Sequence, residues 1–106
     1  MIQVGDTVIL NGDLDVDIKR LNLLKTRLLT CGLSLRSTVT ASSISDEGFT
    51  FCLQRGIITL KNELLSPQEF NVYWREKPDE IYPYLEIVTL LLICGVSVEV
   101  FSSLRF

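Results

Sequence analysis

An eight-residue phrase occurs twice in this chain and constrains its fold more than any other feature. Residues 28–35 read LLTCGLSL and residues 91–98 read LLICGVSV, an offset of 63 positions from Cys31 to Cys94. In each copy a helical spacing of apolar residues runs into glycine and an alternating apolar pattern follows, which is typical of a helix that ends before a strand. The phrase therefore predicts two related helix-to-strand units, although these patterns are common enough to recur by chance.

Two main helices follow from the apolar spacing. Helix one covers residues 14–31, begins after Asp13 as its N-cap, and is acidic in its first turn and basic later. Helix two covers residues 80–94. We expect Gly32 and Gly95 to end these helices with a positive φ. Alternating apolar residues predict strands over residues 2–10, 33–44, 49–53, 57–60 and 96–101.

One segment fits two structures. Ser66-Pro67-Gln68-Glu69 has the spacing of a capping box with proline at the first helical position, and it predicts a short helix over residues 67–76. The alternative is a strand, because Phe70, Val72 and Trp74 alternate with polar residues. The cap chemistry favours the helix.

These elements predict one α+β domain over residues 1–106. The simplest closure is a two-layer ferredoxin-like sandwich, βαββαβ or a close variant, with an antiparallel or mixed sheet and both main helices on one face. Any other two-layer α+β sheet would use the same elements.

Composition narrows the classes of partner. The chain has 106 residues and a net charge of −3, with no basic cluster larger than Lys19-Arg20. Nucleic-acid binding needs a basic stripe, so we expect no nucleic acid as a partner. The acidity suits a basic protein partner. A mean hydropathy of +0.33 indicates more apolar surface than a small monomer buries, which keeps a homo-oligomer as an alternative.

The chain shows no pattern for secretion or membrane insertion. Its N-terminus lacks the basic and apolar regions of a signal peptide. The most apolar stretch, residues 84–101, contains Glu86 and Glu99, and its uninterrupted part is far shorter than the roughly 20 residues that span a bilayer. We therefore expect a cytoplasmic protein with no membrane contact.

Few side chains suit catalysis. There is no histidine, and the three cysteines are odd in number and widely spaced, so we expect free thiols in the core, without a Cys31–Cys94 bridge. Asp13, Asp15 and Asp17 match the start of a calcium loop, but the glycine and glutamate that must follow are absent. We predict no metal, no cofactor and no enzymatic activity.

The densest candidate for recognition is residues 70–84, which are rich in aromatic side chains. Tyrosine and arginine dominate interface hot spots, and acidic side chains attract a basic partner. The protein-binding residues that we predict are Tyr73, Arg75, Asp79, Glu80 and Tyr82. For Phe70, Trp74 and Tyr84, packing against the sheet is the favoured interpretation.

Three functions remain open. The first is a small non-enzymatic protein-binding module, of the inhibitor, immunity-protein or antitoxin kind, that acts by stoichiometric interaction. The second is a self-assembling structural or accessory subunit of a larger complex. The third, ranked last, is an enzyme or ligand-binding domain that uses only Asp, Glu, Lys and Tyr.

Overall fold

The computed structural model describes residues 2–13 and 27–106. Within them the chain is rich in strands and has one main α-helix, α1, at Tyr82–Ile93, followed by a 3₁₀ helix at Val98–Ser103. The strands are β1 (Ile2–Val4), β2 (Thr7–Asn11), β3 (Arg27–Cys31), β4 (Val39–Ser42), β5 (Gly48–Leu53), β6 (Ile57–Ile58), β7 (Leu64–Leu65) and β8 (Gln68–Tyr73).

Six strands form a mixed sheet in the order β1-β2-β3-β4-β5-β8. Strands β2, β3 and β4 run parallel to one another, whereas β1 is antiparallel to β2, and β5 is antiparallel to both β4 and β8. Strands β6 and β7 form a separate antiparallel pair. The sheet thus has a parallel centre and antiparallel flanks.

The ferredoxin-like prediction is wrong. In the described ranges one main helix, not two, packs on a sheet that has more strands than that fold requires. Most of the predicted helix over residues 14–31 lies outside the described residues. This part includes the first turn, which Asp13 would cap. The last five residues of that prediction form β3 instead.

The two copies of the repeated phrase take different structures. Leu28 and Leu29 lie in β3 between two parallel neighbours, whereas Leu91 and Leu92 lie in α1. Alternation in β3 buries Leu29 and Cys31 in the core, so burial and strand pairing there override the helical spacing of the leucines. The phrase is therefore not a structural repeat.

The two glycines of the phrase also differ. Gly95 has a φ of +96° and ends α1, with its own N–H donating to Leu92 O and the next N–H donating to Leu91 O, both at 3.0 Å. This is a Schellman cap, as predicted. Gly32 does not have a positive φ, so its predicted role is wrong.

The predicted helix over residues 67–76 is wrong as well, because β8 occupies that segment. Every residue of β8 pairs with β5, from Gly48 opposite Tyr73 to Leu53 opposite Gln68. Phe70, Val72 and Trp74 face the core by alternation. Six residues of strand pairing outweigh a local capping pattern.

Four strand predictions also need correction. Of residues 57–60, only Ile57–Ile58 is a strand, and it pairs with β7. Residues 2–10 form two strands joined by a tight turn at Gly5, whose φ is +58°. Of residues 33–44, only Val39–Ser42 is a strand. The segment predicted as the last strand, residues 96–101, enters the 3₁₀ helix. The predictions of β5 and of α1 are confirmed to within a few residues.

The core lies between one face of the sheet and α1 with the 3₁₀ helix. From α1, Leu85, Val88 and Leu92 are buried against it. The rings of Phe51 and Phe70 have centroids 5.0 Å apart, and Phe70 lies 5.1 Å from Phe101 of the 3₁₀ helix. These aromatic contacts attach the C-terminal segment to the sheet.

Candidate protein-binding surface

A hollow of about 250 Å³ opens beside the start of α1, and we call it the Trp74 hollow. It is lined by Leu33, Ile44, Trp74 and the irregular segment 77–82. It therefore joins side chains from three separate parts of the chain: the β3–β4 loop, the β4–β5 turn and the segment before α1.

The floor of this hollow is rigid. Trp74 is only 4% exposed, and its Nε1–H donates to Asp46 O at 2.9 Å. Its ring packs against Phe49 at 5.3 Å and edge-on against Tyr84 at 5.6 Å. The interpretation of Trp74 as a core residue is confirmed, and one side of the hollow is held by the core itself.

One wall is the loop of residues 32–38, which carries exposed leucines. Leu33 is 50% exposed and Leu35 is 87% exposed. The base of the loop is nevertheless held together, because the N–H of Thr30 donates to Thr38 Oγ1 and the N–H of Thr38 donates to Thr30 Oγ1, at 3.2 and 3.0 Å. Large apolar side chains on an ordered protruding loop are typical of an interaction surface.

Asp13 connects this loop to α1. Its Oδ2 accepts a hydrogen bond from the Leu33 N–H and another from the Tyr82 hydroxyl, both at 2.9 Å. A Cβ on Gly32 would lie 2.6 Å from Asp13 Oδ1 and 2.7 Å from Ser37 Oγ. A larger residue at position 32 would therefore displace these side chains, so glycine is favoured there by their close approach and not by a left-handed backbone.

The rim of the hollow is acidic. Asp79 and Glu80 are exposed and line it, Asp13 is hydrogen-bonded to two lining residues, and Lys77 is the one cation among the described lining residues. The hydrogen bond to Asp13 raises the pKa of the Tyr82 phenol above its ordinary value, with smaller contributions from desolvation and then from the negative charges of Asp13 and Glu80. The rim therefore has a negative local field.

The structure divides the five predicted binding residues. It brings Asp79, Glu80 and Tyr82 together in the Trp74 hollow. Tyr73 lines a separate hollow, and the guanidinium of Arg105 lies 4.5 Å from the centre of its ring. Arg75 is exposed, and its backbone N–H donates to Phe106 O at 2.8 Å.

Sequence reasoning missed Leu33, Ile44 and the connecting role of Asp13. The predicted strand over residues 33–44 places Leu33 at its start and Ile44 at its end, where alternation makes an apolar residue ordinary. An isoleucine beside the turn residues Ser45-Asp46-Glu47 was the available signal for an exposed apolar group.

A second, larger hollow of about 630 Å³ lies beside strands β4, β5 and β8. It is lined by polar and apolar side chains of β4, β5 and β8 and their flanking residues, and by Leu33 and Leu35. The loop of residues 32–38 therefore borders both hollows, and Leu33 contributes to each.

The thiol of Cys31 is not activated. Burial raises the pKa of Cys31 to about 12, an effect that the Thr89 hydroxyl at 3.7 Å partly offsets and the charge of Glu86 slightly reinforces. Cys31 therefore stays protonated at neutral pH. All three cysteines are free; Cys52 is buried, but Cys94 is exposed, so its placement in the core was wrong.

Within residues 2–13 and 27–106, no cluster of three metal-binding side chains occurs. In the same part of the chain, no helix is both long enough and apolar enough to cross a membrane. The chain matches no protein family, no curated protein and no solved structure.

Proposed function

We propose that this protein is a small, non-enzymatic binding module of the cytosol that acts by stoichiometric interaction with another protein, in the manner of an inhibitor, an immunity protein or an antitoxin. The observation that supports the proposal is the pair of exposed leucines, Leu33 and Leu35, on a hydrogen-bonded loop beside the Trp74 hollow. Covering an exposed leucine with a partner lowers the free energy of the complex. A loop that hydrogen bonds already hold in place loses little conformational entropy on binding.

The local geometry supports binding more than catalysis. The hollow combines an apolar floor with an acidic rim, which is the arrangement of an interface core with its polar surround. Its titratable side chains are carboxylates, a lysine and a tyrosine whose hydroxyl is already engaged by Asp13.

The test begins with recovery of a partner from the native host on the tagged full chain, identified by mass spectrometry. Calorimetry with the purified partner then gives stoichiometry and affinity. We expect one-to-one binding and a loss of at least about 2 kcal/mol for the Leu33→Ser, Leu35→Ser double variant if these are hot spots. Leu64→Ser is the matched control, because Leu64 is 67% exposed but lies on β7, outside the hollow. Equal affinity of the two variants would contradict the proposal.

The alternative function is a self-assembling structural or accessory subunit. It is supported by a second pair of exposed leucines, Leu60 at 46% and Leu64 at 67%, around the β6–β7 turn. Sedimentation at micromolar concentration tests it. A dimer that Leu64→Ser converts to a monomer would support this alternative, whereas a monomeric wild-type chain would contradict it.

A further inference from the structure

We propose that the Trp74 hollow binds a basic segment of a partner protein, with one apolar side chain seated over Trp74 and flanking lysines or arginines at the acidic rim. This inference rests on the proposed function and specifies the chemistry of the partner.

The size of the hollow favours a side chain over a small molecule. At about 250 Å³ it falls below the roughly 300–1,000 Å³ that is usual for drug-sized ligands. Leu33 and Ile44 are half exposed at its mouth, and Trp74 closes its base. An apolar side chain of a partner would cover the exposed parts of Leu33 and Ile44 beside the buried ring of Trp74.

The charges determine which segment fits. Asp13, Asp79 and Glu80 surround the hollow against the single positive charge of Lys77 on its described lining. A basic segment would be attracted to this rim, whereas an acidic peptide or a nucleic-acid phosphate would be repelled.

The rim is also pre-organised. Asp13 holds the Leu33 backbone and the Tyr82 hydroxyl at the same carboxylate oxygen, so the loop of residues 32–38 and the start of α1 are fixed relative to each other. A partner therefore meets the apolar and acidic groups already in place, which reduces the entropy lost on binding.

The test uses the full ¹⁵N-labelled chain and a synthetic peptide with one leucine between two pairs of lysines. We expect saturable shifts in the amide signals of Leu33 and Ile44 and in the Trp74 indole N–H, with a dissociation constant below about 1 mM. Two control peptides replace the lysines with glutamates or the leucine with serine, and each should bind at least about tenfold more weakly. Raising the salt from 50 to 500 mM should weaken binding of the lysine peptide, because salt screens exposed charges.

Matched variants locate the rim. The double variant Asp79→Asn, Glu80→Gln should reduce affinity for the lysine peptide at least about fivefold. The control is Glu63→Gln, which removes an exposed carboxylate beside β7 and should leave the affinity unchanged. Shifts that map away from the hollow, no saturation, or equal binding of the glutamate peptide would overturn the inference. If a native partner binds stoichiometrically and the double variant Asp79→Asn, Glu80→Gln binds it equally well, this inference is overturned and the proposed function stands. Failure to find any partner would count against the proposed function instead.

Discussion

Replacing Gly32 with alanine tests how the loop of residues 32–38 is attached to the rest of the fold. The new Cβ would lie 2.6 Å from Asp13 Oδ1, closer than a carbon atom can approach an oxygen without displacing it. Asp13 must then move, and it holds both the Leu33 N–H and the Tyr82 hydroxyl. The substitution therefore acts mainly by breaking these two hydrogen bonds.

The expected loss follows from those bonds. Hydrogen bonds to a charged group contribute about 1.5–3 kcal/mol each, and these are exposed, so the lower end applies and water replaces part of the loss. We expect Gly32→Ala to lower the free energy of unfolding by about 1–3 kcal/mol. In an Asp13→Ala background the same substitution should lose little beyond the adjustment of Ser37, whose Oγ lies 2.7 Å from the new Cβ.

The assay is a double-mutant cycle from urea unfolding followed by circular dichroism, with a coupling energy of at least about 1 kcal/mol expected between Gly32→Ala and Asp13→Ala. If a left-handed backbone were the reason for glycine at position 32, as the helix-cap interpretation of the sequence implied, the two effects would be additive. Additive effects would thus refute the crowding argument and the attachment of the loop by Asp13.

Three further predictions concern other parts of the chain. Gly95→Ala should lower the free energy of unfolding by about 1 kcal/mol or more, because φ is +96°, and this loss should not depend on Asp13. In the native protein Ellman's reagent should modify Cys94 rapidly and Cys31 very slowly, since burial raises the pKa of Cys31 to about 12, while three thiols should titrate in denaturant. Folding raises the pKa of Tyr82, so the contribution of its hydroxyl to stability is complete below pH 10 and is lost as the pH rises through the folded pKa. In Tyr82→Phe, the free energy of unfolding measured in urea should therefore fall less steeply at alkaline pH.

The parts of the fold that the sequence predicts correctly are those where caps, turns and apolar periodicity within the segment determine the structure. Helix α1 has proline in its first turn, a periodic apolar face and a glycine stop, and all three agree with its surroundings. Strand β5 has clean alternation between turn residues. In both elements the local preference and the tertiary environment favour the same structure.

The errors arose where local and tertiary preferences conflict. Leu28 and Leu29 satisfy a helical spacing and a buried parallel strand equally well, and only pairing with β2 and β4 decides between them. Pro67 and Glu69 have cap chemistry, but β5 supplies a complete strand partner for β8. Neither partner can be identified from the segment alone.

The candidate site shows the same division. Asp79, Glu80 and Tyr82 are neighbours in sequence, so composition alone singled them out. Asp13 lies 20 residues from Leu33 and 69 from Tyr82, and the contact among the three depends on the topology of the sheet. Leu33 is notable only for its exposure, which the sequence does not reveal.

The central claim is that a partner protein binds at the loop of residues 32–38 beside the Trp74 hollow. The most direct test places a photoreactive benzoylphenylalanine at Leu33 or, as a control, at Leu64, and irradiates each protein in an extract of the native host. We predict a single covalent adduct with another protein from position 33, suppressed by excess wild-type chain, and none from position 64. Adducts of the chain with itself from position 64, with none from position 33, would contradict the claim.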